Sequence, residues 1–122
     1  MRNEAVCGKL PAMIDVILTW TERDRRRVER RKSAVAAARV ELLNHAREHG
    51  GRYVLFGSVA RGEDRPDSDV DVMVDFPGRE AAAGNDAEII CARNGLKPDV
   101  WLKRYVGDEL MARIRREGVV LE

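Results

Sequence analysis

A chain of 122 residues has the size of one ordinary domain, and we expect a single domain over residues 1–122, with a helical region at 1–50 and a core at 51–122. Charged residues make up 35% of the chain but the net charge is only +1, so the overall charge does not indicate nucleic-acid binding. Because we find no apolar run long enough to span a membrane, no secretory leader and only two widely separated cysteines, we expect a reduced, cytoplasmic protein without a membrane segment.

The first part of the chain predicts a long helix. Residues 10–20 carry apolar side chains at helical spacing, for which core packing is the simplest interpretation and a partner-binding surface is the alternative. Residues 22–32 hold seven basic and three acidic side chains. Because no aromatic side chain lies among them to stack on bases, we interpret them as a solvated helix face, ahead of a surface for RNA or for an acidic partner.

The helix is predicted to continue through residues 33–49, which carry one apolar stripe, and to end at Gly50 and Gly51. His45 and His49 stand four residues apart, a spacing that can bind zinc on a helix. The residues between them do not follow the zinc-protease pattern, and no third ligand is evident in the sequence. We therefore expect no metal at these histidines.

Two strands and a glycine turn follow the helix. Residues 53–56 form an apolar run of the length of one buried strand, and Gly57 breaks it. Residues 70–74 predict a second strand in which apolar residues alternate with acids. Because strand side chains alternate between faces, Asp69 and Asp71 point the same way, about 6–7 Å apart. Two carboxylates on one face, next to a Gly-Ser turn, suit a metal-bound phosphate.

The other acids of this stretch are interpreted differently. Asp75 shares the face of Asp71 but lies about 13 Å further along the strand, too far to share a metal with Asp69. The remaining acids lie in the polar turn between the two strands, where we expect them to be solvated: they are Glu63, Asp64 and Asp67.

Alternating elements complete the chain. Residues 78–85 are expected to form a short, polar and mobile loop, and residues 86–94 a helix. Residues 96–102 predict a third strand, residues 107–117 a final helix and residues 119–121 a short last strand. The order of helices and strands predicts an α/β fold, a mixed sheet of about four strands packed against helices.

The central stretch resembles a known signature. The pattern reads Gly57-Ser58-x-Ala60-Arg61-Gly62, then five residues, then Ser68-Asp69-x-Asp71. It is similar to the signature of the polymerase-β-type nucleotidyltransferases, and its length and spacing resemble the minimal nucleotidyltransferases, many of which pair with a HEPN protein as a toxin–antitoxin module. The resemblance implies a polymerase-β-like nucleotidyltransferase core at residues 51–122, and it rests mainly on residues 57–71.

The resemblance also implies roles for individual residues. Two Mg²⁺ ions would be held by Asp69, Asp71 and a third acid on a neighbouring strand, for which we choose Asp99, and this third acid would help to deprotonate the attacking hydroxyl. Arg61 would hold a phosphate or brace the turn, and we rank the brace ahead. The residues expected to bind the nucleotide are Gly57, Ser58, Arg61 and Ser68, although Ser68 more readily fixes the turn.

The implied activity is Mg²⁺-dependent transfer of a nucleoside monophosphate, AMP from ATP, to a hydroxyl. The expected acceptor is a tyrosine of a HEPN ribonuclease toxin, so that the protein acts as its antitoxin. Two alternatives stay open at this point: an antitoxin that neutralises its partner by binding alone, and a nucleotidyltransferase of the antibiotic-resistance kind that modifies a small molecule. Because the chain leaves no room for a further domain, we expect the acceptor surface to come from a partner protein or a second copy of the chain, and we do not expect nucleic acid.

Overall fold

The computed structural model describes the backbone of residues 10–122 and the side chains of residues 21–122. The apolar segment 10–20 is part of the first helix, but its side chains lie outside the described residues, so the choice between core and partner surface stays a prediction. The elements are α1 (Leu10–His49), β1 (Arg52–Phe56), α2 (Ser58–Arg61), β2 (Asp69–Asp75), α3 (Glu80–Arg93), β3 (Lys97–Leu102), α4 (Asp108–Glu117) and β4 (Val119–Leu121).

The four strands form one mixed sheet in the order β3-β2-β1-β4. Strand β1 is antiparallel to β2 and to β4, whereas β2 and β3 run parallel. The register places Phe56 opposite Asp71, and Asp71 opposite Asp99. This architecture confirms the predicted α/β fold with a mixed four-stranded sheet.

Helices cover both faces of the sheet, as the alternation along β2 requires. Val70, Val72 and Val74 are buried in the larger core, which α1 and α3 help to form. Met73 faces the other way and packs with Ile114 of α4 in a smaller core. Because side chains alternate along a strand, Asp69, Asp71 and Asp75 share the α4 face with Met73.

Helix α1 runs without a break through the charged segment. Residues 23–30 are exposed, as expected for a solvated helix face, but Arg31 is buried and its Nε donates to Oδ2 of Asp64 at 2.8 Å. The expectation that Asp64 is simply solvated is therefore wrong, because its carboxylate pairs with this buried guanidinium. None of the helices in the described part of the chain is both long and apolar enough to cross a membrane.

Helix α3 begins at Glu80, so the loop predicted at residues 78–85 is mostly helical. Three consecutive alanines favour the helix locally, since alanine has the highest helix propensity. Packing favours it further: Ala83 and Gly84 are buried, and the Tyr53 hydroxyl donates to the Ala83 carbonyl at 2.8 Å. The prediction failed because this contact joins residues far apart in the sequence.

Candidate active site

The turn after β1 depends on glycine at position 57. Gly57 adopts φ 73° and ψ −151°, a backbone conformation that is essentially restricted to glycine. A Cβ atom built on Gly57 would also overlap Oδ2 of Asp71. The backbone of the turn and the carboxylate of β2 are therefore in direct contact, and the short helix α2 leaves the sheet at this point.

Three carboxylates meet beside this turn. Asp69 and Asp71 lie two residues apart on one face of β2, and Asp99 lies opposite Asp71 on the neighbouring parallel strand β3. Neighbouring strands are about 4.8 Å apart, so the Asp71 and Asp99 side chains are adjacent. Asp69 is exposed to solvent, whereas Asp71 and Asp99 are half-buried. The structure thus brings together the three acids that the sequence suggested as metal ligands.

The electrostatics of the three acids favour a bound cation. Burial raises the pKa of Asp71 to about 6, and repulsion from Asp99, a hydrogen bond with Asp99 and repulsion from Asp69 add to the effect. Arg113 lowers this pKa but does not offset the other causes. Carboxylate oxygens are the protein ligands that Mg²⁺ prefers, and an ion at this point would relieve the repulsion. The residues present therefore fit a divalent metal.

Glu117, the last residue of α4, connects the turn to the rest of the domain. Its carboxylate accepts the backbone N–H of Gly57 at 3.1 Å and also bonds Arg61 at 3.2 Å and Arg113 at 3.3 Å. Burial alone would raise the pKa of Glu117, but the bonds from Arg61, Gly57 and Arg113 outweigh it and lower the pKa. Sequence reasoning missed Glu117. The sequence offered one indication of its role: a carboxylate at a helix C-terminus is disfavoured by the helix dipole, which suggests that it is there for another contact.

The other residues suggested for nucleotide binding lie around the same turn. Arg61 pairs with Glu63 at 2.6 Å as well as with Glu117, which is the geometry of a brace. The Ser68 hydroxyl accepts the backbone N–H of Arg65 at 2.9 Å and so fixes the turn before β2. Ser58 begins α2 and is half-buried, and among the described residues none bonds its hydroxyl.

The comparison with known sequences decides the family. The nucleotidyltransferase domain matches residues 38–121, which include the glycine turn and all three acids. The chain belongs to the nucleotidyltransferase domain family. No curated protein matches this nucleotidyltransferase.

Two solved structures are similar to this nucleotidyltransferase. One is described as a candidate minimal nucleotidyltransferase: it is 32% identical, covers 71% of this chain and 92% of its own, and has a TM-score of 0.55. The other is a toxin–antitoxin crystal structure with AMP-PNP, 19% identical, covering 69% of this chain and 70% of its own, with a TM-score of 0.54. The first supports the family and the second supports the fold. Together with the sheet order, they confirm the expected nucleotidyltransferase core.

Asp75 lies on the same sheet face of the nucleotidyltransferase as the three acids but in a different environment. Its Oδ2 accepts hydrogen bonds from Arg52 Nε at 2.8 Å and from Lys103 Nζ at 3.3 Å. Burial would raise the pKa of Asp75, but these two hydrogen bonds outweigh it and lower the pKa. Asp75 is thus neutralised by its own partners, in contrast to Asp71.

Proposed function

We propose that this nucleotidyltransferase transfers AMP from ATP, with Mg²⁺, to a hydroxyl of a partner protein, a tyrosine of a HEPN ribonuclease toxin, and thereby acts as its antitoxin. The observation that carries the proposal is the convergence of Asp69, Asp71 and Asp99 beside the turn at Gly57. Three adjacent carboxylates that repel one another destabilise a fold that binds no cation. A protein that acted by contact alone would need none of them.

Asp69 and Asp71 would hold two Mg²⁺ ions, with Asp99 completing the second site. Bound Mg²⁺ supplies neutralisation of the triphosphate and of the charge that develops on the attacking and leaving oxygens. Because Mg²⁺ keeps several water and phosphate ligands, three protein carboxylates are enough. The raised pKa of Asp71 supports this assignment, since burial and then repulsion from Asp99 and Asp69 disfavour the ionised carboxylate, and a bound cation would favour it.

The remaining steps fall to side chains and backbone of the turn. Gly57 lets the triphosphate approach the backbone, because no Cβ stands in the way. The Ser58 hydroxyl donates a hydrogen bond to a phosphate oxygen. Asp99 accepts the proton of the attacking hydroxyl, which becomes more acidic as its oxygen bonds to the α-phosphorus, while the bond from the α-phosphorus to the α,β-bridging oxygen breaks and pyrophosphate leaves. Glu117 and Arg61 position the turn without touching the reacting atoms.

A protein acceptor is favoured over a small molecule by the comparisons. The similar structure at 32% identity is described as a candidate minimal nucleotidyltransferase, and the toxin–antitoxin structure with AMP-PNP combines a nucleotide analogue with a partner protein. A partner chain presents a tyrosine in one fixed geometry beside the three acids, which favours transfer to a protein hydroxyl.

The decisive experiment follows the label of α-³²P-ATP in the presence of Mg²⁺ and of the protein encoded beside this one. We expect label on the partner, lost in Asp69→Asn and Asp71→Asn and retained in the matched control Asp67→Asn, an exposed acid of the same stretch. If wild type and Asp71→Asn neutralise the partner equally and without label, the protein acts by binding alone. Label on a small molecule but not on the partner would instead indicate a nucleotidyltransferase of the antibiotic-resistance kind.

A further inference from the structure

The last turn of α1 brings together the two histidines of the chain and one acid. His45, Glu48 and His49 lie at positions i, i+3 and i+4, which places them on one side of a helix. Each offers one ligand atom such that all three atoms lie within 4.8 Å of one another. The sequence pointed to the two histidines but did not identify a third ligand; the structure supplies Glu48.

His45 is held in a fixed orientation. Its ring lies 6.0 Å from the Tyr53 ring, nearly parallel to it, and 6.1 Å from the Phe76 ring. Its Nε2 atom is buried and lies 2.9 Å from Oδ2 of Asp86 on α3. The ring N–H is not directed at this oxygen, so Nε2 makes no well-formed hydrogen bond. Because Nε2 lies against Asp86, Nδ1 is the ring nitrogen that remains for a ligand.

We propose that His45, Glu48 and His49 bind a divalent transition-metal ion, with Zn²⁺ the best match. Two imidazoles and one carboxylate are typical zinc ligands, whereas Mg²⁺ prefers oxygen ligands alone. Asp86 lies at ion-pair distance from Nε2 of His45 and would accept a hydrogen bond from it once Nδ1 binds the metal, as the outer carboxylates of metal-binding histidines usually do. Three protein ligands leave one coordination position for water or for a donor from a partner.

This metal site is separate from the nucleotidyltransferase acids. Besides His49, the rings next to His45 are those of Tyr53 and Phe76, which belong to the core on the α1 and α3 side of the sheet. Asp71 lies on the opposite face with Met73 and α4. A metal at the histidines would therefore tighten the last turn of α1 and its contact with Asp86 on α3, and it would not enter the transfer reaction.

The test uses the full chain without an affinity tag and titrates it with ZnCl₂ by calorimetry, with histidine side-chain NMR as the site-specific readout. In an excess of Mg²⁺, which would occupy the acids of the active site, we expect one equivalent of Zn²⁺ to bind wild type, shifting the signals of His45 and His49 and raising the melting temperature. His49→Ala and Glu48→Gln, both exposed positions, should weaken binding by at least about tenfold, and Asp86→Asn by about tenfold.

Two controls make the outcome decisive. Glu29→Gln removes an exposed acid from the same helix and should bind Zn²⁺ like wild type. The double variant Asp69→Asn/Asp71→Asn should also bind Zn²⁺ normally, which separates this site from the carboxylates of the active site. Equal Zn²⁺ binding by wild type and His49→Ala overturns the proposal, as does the absence of saturable binding at about 100 µM Zn²⁺.

Discussion

The backbone N–H of Gly57 donates a hydrogen bond to Oε1 of Glu117 over 3.1 Å, and this bond joins residues 60 positions apart in the sequence. The same carboxylate pairs with Arg61, on the short helix that follows the turn. Glu117, the last residue of α4, thus holds the turn beside the three acids through two contacts, one with the backbone of Gly57 and one with the side chain of Arg61. Its geometry depends on long-range contacts as well as on the glycine itself.

Glu117→Gln should impair nucleotide binding more than the chemical step. The amide keeps the size of the side chain and can still accept from the Gly57 N–H, but it loses the negative charge that pairs with Arg61. We expect KM for ATP to rise roughly tenfold with kcat changed less, because a slightly misplaced turn weakens positioning. Steady-state kinetics check this, with Glu109→Gln, an exposed acid at the start of α4, as the control. An unchanged KM would show that Glu117 does not position the turn.

The strands and the grouping of acids were predictable because they depend on local patterns. Alternation along residues 70–74 assigned Asp69 and Asp71 to one face, and the similarity to nucleotidyltransferases suggested Asp99 on a neighbouring strand, where the structure has it. The role of Glu117 and the early start of α3 were not predictable, because each depends on contacts between distant residues. Asp64 was misjudged for the same reason: its partner, Arg31, lies 33 positions away.

Asp71→Asn should abolish transfer and at the same time stabilise the metal-free protein. The pKa of Asp71 is raised from 3.8 to about 6, so its contribution to stability is present below pH 3.8 and is lost as the pH rises through 6. At pH 8 the neutral amide should therefore increase the free energy of unfolding by about 1–3 kcal/mol, since one pKa unit corresponds to about 1.4 kcal/mol.

Urea unfolding of wild type and Asp71→Asn at pH 8 and at pH 4, without divalent ions, measures this difference. The increase in the free energy of unfolding caused by Asp71→Asn should shrink toward pH 4. Asp67→Asn should show no such increase, because Asp67 is an exposed turn residue. Equal stability at pH 8 would mean that the three carboxylates do not repel one another as the raised pKa indicates.

Asp99→Ala should lower the rate of transfer far more than the affinity for ATP. We assign Asp99 to the proton of the attacking hydroxyl, and this interaction forms mainly in the transition state. Single-turnover rates and direct binding of a non-hydrolysable ATP analogue separate the two effects. A parallel loss of rate and affinity would make Asp99 a binding residue, and an unchanged rate would assign its role to another acid.

Gly57→Ala should destabilise the fold, whereas the matched control Gly62→Ala should cost much less. Both glycines have positive φ, but a Cβ at Gly57 overlaps the Asp71 carboxylate and a Cβ at Gly62 meets nothing within 4 Å. We expect Gly57→Ala to lose about 2–4 kcal/mol through backbone strain and overpacking, and Gly62→Ala about 1 kcal/mol. Thermal unfolding of the two variants measures the difference, and similar losses would show that the contact with Asp71 is easily relieved.

Asp75→Asn tests how the free energy of unfolding depends on pH in the acidic range. The pKa of Asp75 is lowered from 3.8 because hydrogen bonds from Arg52 and Lys103 outweigh burial, so the folded state gains from the ionised form. This gain is fully present above the unfolded pKa of 3.8 and is lost as the pH falls through the lower folded value. At pH 7 we expect Asp75→Asn to lose about 1–3 kcal/mol, since Arg52 and Lys103 are partly exposed and water compensates in part.

The difference between wild type and Asp75→Asn should narrow as the pH falls below about 4, the range in which the carboxyl becomes protonated. Urea unfolding at pH 7, 5 and 3 measures it, and Asp67→Asn serves as the exposed control with a profile parallel to that of wild type. A constant difference at all three pH values would mean that Asp75 stabilises the strand by packing. A difference that narrows from pH 7 to pH 3 is the result that an ion pair with Arg52 and Lys103 requires.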